Sequence, residues 1–121
     1  MATRKLTNYV RTYRKRLGFS QDEVAYLLDC KSGAKISRYE HYRREPTLRT
    51  ALAYEVIFQT PVKEIFAGIY ENVERKTLKR IRSLSEKLNS SDPAHPRQER
   101  RRRQVEAALL SRLIDLDHEE K

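Results

Sequence analysis

The apolar positions of this chain recur at intervals of three and four almost from the start, and that spacing predicts helices rather than strands. Leu6, Val10, Tyr13 and Leu17 mark one apolar face, opposed by Arg11, Arg14, Lys15 and Arg16. Gly18 follows the last periodic residue and is expected to stop this helix. Ser20 and Glu23 then form a capping-box pair, ahead of Val24, Ala25, Leu27 and Leu28 as the buried side. Ser32 is the next cap candidate. It opens GAKISRYEHY, in which Ile36 and Tyr39 turn inward and Lys35 and Arg38 outward. Pro46 ends that element, because proline disfavours helical geometry at the preceding Glu45. Thr47 caps a fourth helix, LRTALAYEVIF, with Leu48, Ala51, Leu52, Tyr54 and Ile57 at apolar positions. A fifth opens with Thr60 at the cap and Pro61 in the first turn; Val62, Ile65 and Phe66 face the core and Gly68 marks its end.

From Ile69 the pattern changes. ENVERKTLKRIRSLSEKL is a longer, heavily charged stretch in which Val73, Leu78, Ile81, Leu84 and Leu88 leave only a narrow apolar stripe. NSSDPAHP reads as a linker. RQERRRRQVEAALLSRLIDL is a second long helical stretch, with Val105, Leu109, Leu113 and Leu116 on one side. Stripes this narrow need a partner: each other, the first domain, or a second copy. The expected fold is therefore all-α: a five-helix domain over residues 1–68 and a two-helix extension over 69–121. Within the extension a helix is expected over about 70–89, a linker over 89–96 and a helix over about 97–117.

Length and charge narrow the function. The 121 residues carry a formal net charge of +9, with 36% charged and 38% hydrophobic residues. That favours an anionic partner such as nucleic acid. No apolar run is long enough to span a bilayer. The basic start, MATRKLTNYVRTYRKR, precedes no apolar segment of the secretory type. A cytoplasmic, nucleoid-associated protein with no membrane partner is expected. The single cysteine, Cys30, allows no internal disulfide and is expected to be a buried structural thiol. The three histidines are scattered and form no metal-ligand pattern with it. No nucleophile–base pair, glycine-rich phosphate loop or paired carboxylates stand out, so neither a cofactor nor an enzymatic activity is expected.

The stretch SQDEVAYLLDCKSGAKISRYE, from Ser20 to Glu40, carries the sharpest signal. Two helices flank a tight connection, and the second exposes Lys35 and Arg38. That is the organisation of a helix-turn-helix, whose second helix enters the DNA major groove with its N-terminal residues on base edges. Gly33 and Ala34, both small, would let this helix approach the groove closely.

YRKRLGFSQDEVAYLL, ISRYE, the RREPTL turn and the TPVKEIFAG end together resemble the Xre-type, lambda-repressor-like DNA-binding domain over roughly Tyr9 to Gly68. The resemblance implies a five-helix bundle that binds operator DNA and commonly dimerises. It places Gln21 on a phosphate and Ser32 at the cap of the recognition helix. It puts Gly33, Ala34 and Arg38 at base-touching positions, with Lys35 and Ser37 flanking them, and Tyr42, Arg43 and Arg44 on the DNA backbone. Arg38 suits a guanine and Ala34 a thymine methyl. With so few readers, DNA shape would supply further specificity. The chain departs from the family at the turn: Asp29, Cys30 and Lys31 make it one residue longer. The family glycine is absent, and Asp29 is left to adopt the left-handed conformation.

Two features stand outside this reading. Arg4, Lys5, Arg11, Arg14, Lys15 and Arg16 lie in a run without acids, some expected to flank the duplex and most to be plain surface. Arg100 to Arg103 open a helix whose dipole prefers acids there, and DLDHEEK closes it with acids where the dipole prefers cations. The arginine run is divided between a second nucleic-acid contact and a solvated face, and the acidic end is expected to fray. The function expected is a sequence-specific transcriptional regulator, a repressor binding a near-palindromic operator as a dimer. Ile81, Leu84, Leu88, Leu109, Leu113 and Leu116 are its candidate dimer contacts. The alternative is an antitoxin whose 69–121 tail grips a protein partner while the first domain autoregulates.

Overall fold

A computed structural model describes residues 5–90 and 96–119, with the side chains of 90, 96 and 113–119 left aside. Arg4, most of the expected linker, and the side chains of Leu113 and Leu116 therefore lie outside the described residues. Among the described residues there are seven helices and no strand. The helices are α1 (Val10–Leu17), α2 (Gln21–Leu27), α3 (Gly33–Glu40), α4 (Leu48–Phe58), α5 (Val62–Ile65), α6 (Ala67–Ser90) and α7 (Pro96–Glu119). The chain divides into two compact units, Met1–Asn72 and Val73–Lys121. None of the described helices is long and apolar enough to cross a membrane.

In the first unit, Val10, Val24, Ala25, Ile36, Tyr39, Ala51, Tyr54, Phe58, Ile65 and Phe66 form the core. Its centre is aromatic. Tyr54 meets Tyr39 edge-on at 6.2 Å, Phe66 edge-on at 6.0 Å and Phe58 at 5.4 Å, while Tyr13 stacks on Phe58 at 5.8 Å. Such pairs add to area burial through their quadrupoles. The Tyr54 hydroxyl is buried with no hydrogen-bond partner, and burial raises its pKa above the ordinary phenol value.

Several periodic positions are corrected. Leu17, Leu27, Leu48 and Leu52 are exposed, Leu48 at 74%. The domain is small, and α1, α2 and α4 each present too narrow an inward arc to bury every apolar residue of their stripes. Arg14, expected on the outer face of α1, turns inward instead.

The ends of four helices share one device. Gly18 is left-handed, with the N–H of Gly18 and Phe19 donating to Lys15 and Arg14 carbonyls. Asp29, Tyr42 and Gln59 occupy the same conformation at the ends of α2, α3 and α4. For Asp29 and Tyr42 the paired bonds repeat: Cys30 to Ala25 and Asp29 to Tyr26, then Arg43 to Arg38 and Tyr42 to Tyr39. These are Schellman turns, which satisfy carbonyls that a helix end leaves orphaned.

Helix starts divide into two kinds. Ser20 and Glu23 form the complete capping box, and hydrogen bonds from the Ser20 backbone and hydroxyl lower the pKa of Glu23. Thr47 accepts from the Thr50 N–H. Ser32 stands at the N-cap of α3, but its side chain caps nothing; Asp22 Oδ1 accepts the Gly33 N–H at 2.9 Å instead. Thr60 does not cap α5 either. Pro61 holds that position, and the Val62 N–H goes to Glu55 of α4 at 2.9 Å.

Gly68 does not end a helix; it lies in the first turn of α6. A Cβ there would collide with the backbone carbonyl of Leu6 and the Cα of Thr7, where the N-terminal segment crosses and Ile69 N–H donates to Thr7. Backbone cannot swing aside as a side chain can. Gly68→Ala is therefore expected to destabilise the first unit by about 1–3 kcal/mol, the usual cost of overpacking, measurable as a lower urea midpoint.

In the second unit, α7 packs on the C-terminal part of α6. Leu88 is buried, and Leu78, Ile81, Val105 and Leu109 are half-buried. Arg112 pairs with Glu74 at 3.3 Å. Arg102 pairs with Glu99 at 3.1 Å and donates to the Leu88 carbonyl at 2.8 Å. One member of the arginine run thus has a structural task, satisfying a carbonyl in the last turn of α6.

Candidate nucleic-acid interface

The site is built on how α2 holds α3. Val24 and Ala25 of α2 and Ile36 and Tyr39 of α3 are buried together, so the opposite face of α3 is free. Gly33 is buried, and a Cβ on it would stand 2.7 Å from Asp22 Oδ1 and 3.0 Å from Gln21 Cβ. The close approach that Gly33 permits is thus to α2. With its N–H taken by Asp22, the first turn of α3 is locked to the start of α2.

A second lock lies behind. The Glu40 side chain is 1% exposed and accepts Arg14 Nε at 2.6 Å and Nη2 at 3.1 Å. The Gln21 amide donates to the same carboxylate at 3.3 Å, and Arg14 Nη1 reaches the Phe19 carbonyl at 3.0 Å. Hydrogen bonding to Glu40 raises the Arg14 pKa, against the opposing effect of burial. Paired guanidinium and carboxylate geometry of this kind fixes orientation as well as charge. One buried ion pair joins α1, α2 and α3. Asn8, also buried, bonds the Tyr39 carbonyl at 2.9 Å.

The outward face of α3 then carries Ala34 and Arg38, both exposed, with Lys35 and Ser37 half-buried. Ser32 precedes it, exposed. Ser37 lies 3.3 Å from His41 Nδ1, and that nitrogen is 2.7 Å from the Ser37 carbonyl. Tyr42, Arg43 and Arg44 follow on the exposed loop. Among the described residues no carboxylate pairs with Lys35, Arg38, Arg43 or Arg44. The geometry brings Ala34, Lys35 and Arg38 onto one surface, while Gln21 and Gly33 sit at the α2–α3 joint. Sequence reasoning missed Asp22, Arg14 and Glu40, which position the helix; nothing local in the chain marks them. Cys30 is free and half-buried against the core. No metal-ligating cluster occurs among the described residues.

Tyr42 sits at φ 62°, where a Cβ costs about 1–2 kcal/mol. Tyr42→Gly is expected to raise stability by up to about 1 kcal/mol, after roughly 0.4–1 kcal/mol of added unfolded-chain entropy. Thermal denaturation checks this, with Tyr42→Ala, which keeps the strain, as the control.

A helix locked by its neighbours, cationic and unpaired on its free face and followed by a basic loop, defines a helix-turn-helix DNA-binding protein. Residues 10–65 match the family model described as helix-turn-helix. Over those residues the chain is similar to the Xre/lambda-repressor-like helix-turn-helix family, a family of DNA-binding transcription regulators. No curated protein and no solved structure gives a match.

Proposed function

We propose that the chain is a sequence-specific repressor that binds a near-palindromic operator as a dimer and acts on the nucleoid. The observation that carries this reading is the free cationic face of α3, held rigidly by the Asp22–Gly33 bond and the Arg14–Glu40 pair. Arg38 reads a guanine, Ala34 meets a thymine methyl, and Lys35 and Ser37 flank them. Gln21 and Ser32 on one side, and Tyr42, Arg43 and Arg44 on the other, engage phosphates and fix the register. Two-fold symmetry of the dimer would be mirrored in the operator. Occupying DNA needed by the polymerase gives repression.

Selection of random duplex DNA on the purified protein tests the reading. Enrichment of a two-fold symmetric motif supports it. Strong, salt-sensitive binding with no enriched motif would show phosphate attraction without readout, and the antitoxin alternative would then take its place.

A further inference from the structure

In the second unit α6 meets α7 through a seam. Glu74, Leu78, Ile81, Ser85 and Leu88 recur in steps of four and three and are half-buried or buried. Arg102, Val105, Leu109 and Arg112 answer them on α7. The Arg112–Glu74 pair and the bond from Arg102 to the Leu88 carbonyl tie the two ends. The seam takes up most of the apolar surface of this part of α6. Between Arg75 and Asn89 only Leu84, at 38%, is an exposed apolar residue.

Outside the seam the helix is cationic. Arg75, Lys76, Lys79, Arg80 and Arg82 are exposed, and none has an ion-pair partner among the described residues. Arg75 and Lys79 stand four residues apart, as do Lys76 and Arg80; Lys79 stands three from both Lys76 and Arg82. Like charges at these spacings are neighbours on a helix surface and destabilise it. Glu86 is the only acid between Arg75 and Asn89, and it is no helical neighbour of Lys76, Lys79 or Arg80. Nothing among the described residues offsets this repulsion; an external polyanion would.

The chemistry of the face selects the polyanion. A lipid surface takes an amphipathic helix by its apolar face, and α7 already covers that face. A protein interface is built round an apolar or aromatic core, which this face lacks. A duplex needs only cations set along its backbone. The five cations lie within about 10 Å of helix, a length over which a duplex carries roughly six phosphate charges.

We propose that the α6 face formed by Arg75, Lys76, Lys79, Arg80 and Arg82 is a second DNA-contacting surface, which holds duplex phosphates irrespective of sequence. It belongs to the other unit of the chain from the α3 face and supplies affinity without readout.

Salt titrations of full-chain binding to a random-sequence duplex test this, with circular dichroism to confirm that each variant folds. K76Q/K79Q/R80Q is expected to lower the slope of log affinity against log salt by about 2–3, at about 0.9 per lost phosphate contact. Its preference for the selected operator over a scrambled duplex should be unchanged, because phosphate contacts carry no sequence information. R100Q/R101Q/R103Q removes the same charge from α7. It should lower the slope by less, since Glu99 and Glu106 stand at helical-neighbour spacing from Arg103. An unchanged slope in K76Q/K79Q/R80Q, or an equal drop in the α7 variant, overturns the assignment to α6. So does a K76Q/K79Q/R80Q chain that loses binding to anionic phospholipid vesicles but keeps its duplex slope, which would give the face to a membrane. A chain with no operator preference, whose slope still falls in K76Q/K79Q/R80Q, would remove the sequence-reading role of α3 and leave this surface standing.

Discussion

Glu40→Ala is expected to cost the first unit about 3–5 kcal/mol of stability, as is typical when one partner of a buried ion pair is removed. The reason is the guanidinium left behind. Arg14 is only 11% exposed at its side chain, so its charge would remain in a poorly solvated place with its best acceptor gone. A loss of that size approaches the whole stability of a domain this small. The urea midpoint, followed by circular dichroism, measures it. The double variant Arg14→Met/Glu40→Leu separates two causes. Replacing both partners by apolar side chains is often neutral, so the double variant should recover most of the stability. If it is as unstable as Glu40→Ala, the carboxylate matters for its bond to Gln21 and not for the charge on Arg14. Either way the proposed DNA surface should feel the change, because this pair fastens α3 to the helices behind it.

Arg38→Ala is expected to cost about 1–3 kcal/mol of operator affinity, roughly 5- to 150-fold, and to relax the preference at one base pair. Arg38 is exposed on the free face of α3 and no carboxylate competes for it among the described residues. The comparison variant is Arg44→Ala in the following loop. If Arg44 grips a phosphate, its removal should weaken binding to all sequences alike and lower the salt slope by about one. Titrations on the selected operator and on a scrambled duplex, at several salt concentrations, distinguish the two patterns. An Arg38→Ala protein that loses affinity equally on both duplexes would move Arg38 from the base edges to the backbone.

The helix-turn-helix was legible because its signals are local. A capping box at Ser20 and Glu23 and a threonine cap at Thr47 act within one turn of chain, and both are found where expected; α3 instead ends at Glu40, in the Tyr42 turn and ahead of Pro46. Helix ends were harder. Gly18 announces a left-handed turn, because glycine adopts it without strain. Asp29 was expected to take that conformation only by default, and Tyr42 and Gln59 carry no signal for it at all. Surrounding packing imposes the turn on them.

By itself, then, the sequence determined the all-helical class, the order of the short N-terminal helices and the cationic face of α3, since periodicity and capping are properties of neighbouring residues. The tertiary structure alone decided which side chains hold that face in place. Asp22 caps a helix eleven residues away, and Arg14 meets Glu40 across twenty-six. Arg102 is set apart from its neighbouring arginines by a carbonyl fourteen residues back. Such partners become neighbours only when helices pack, so a pattern with a period of three or four residues cannot report them. A buried carboxylate or guanidinium must find its partner wherever the fold brings one.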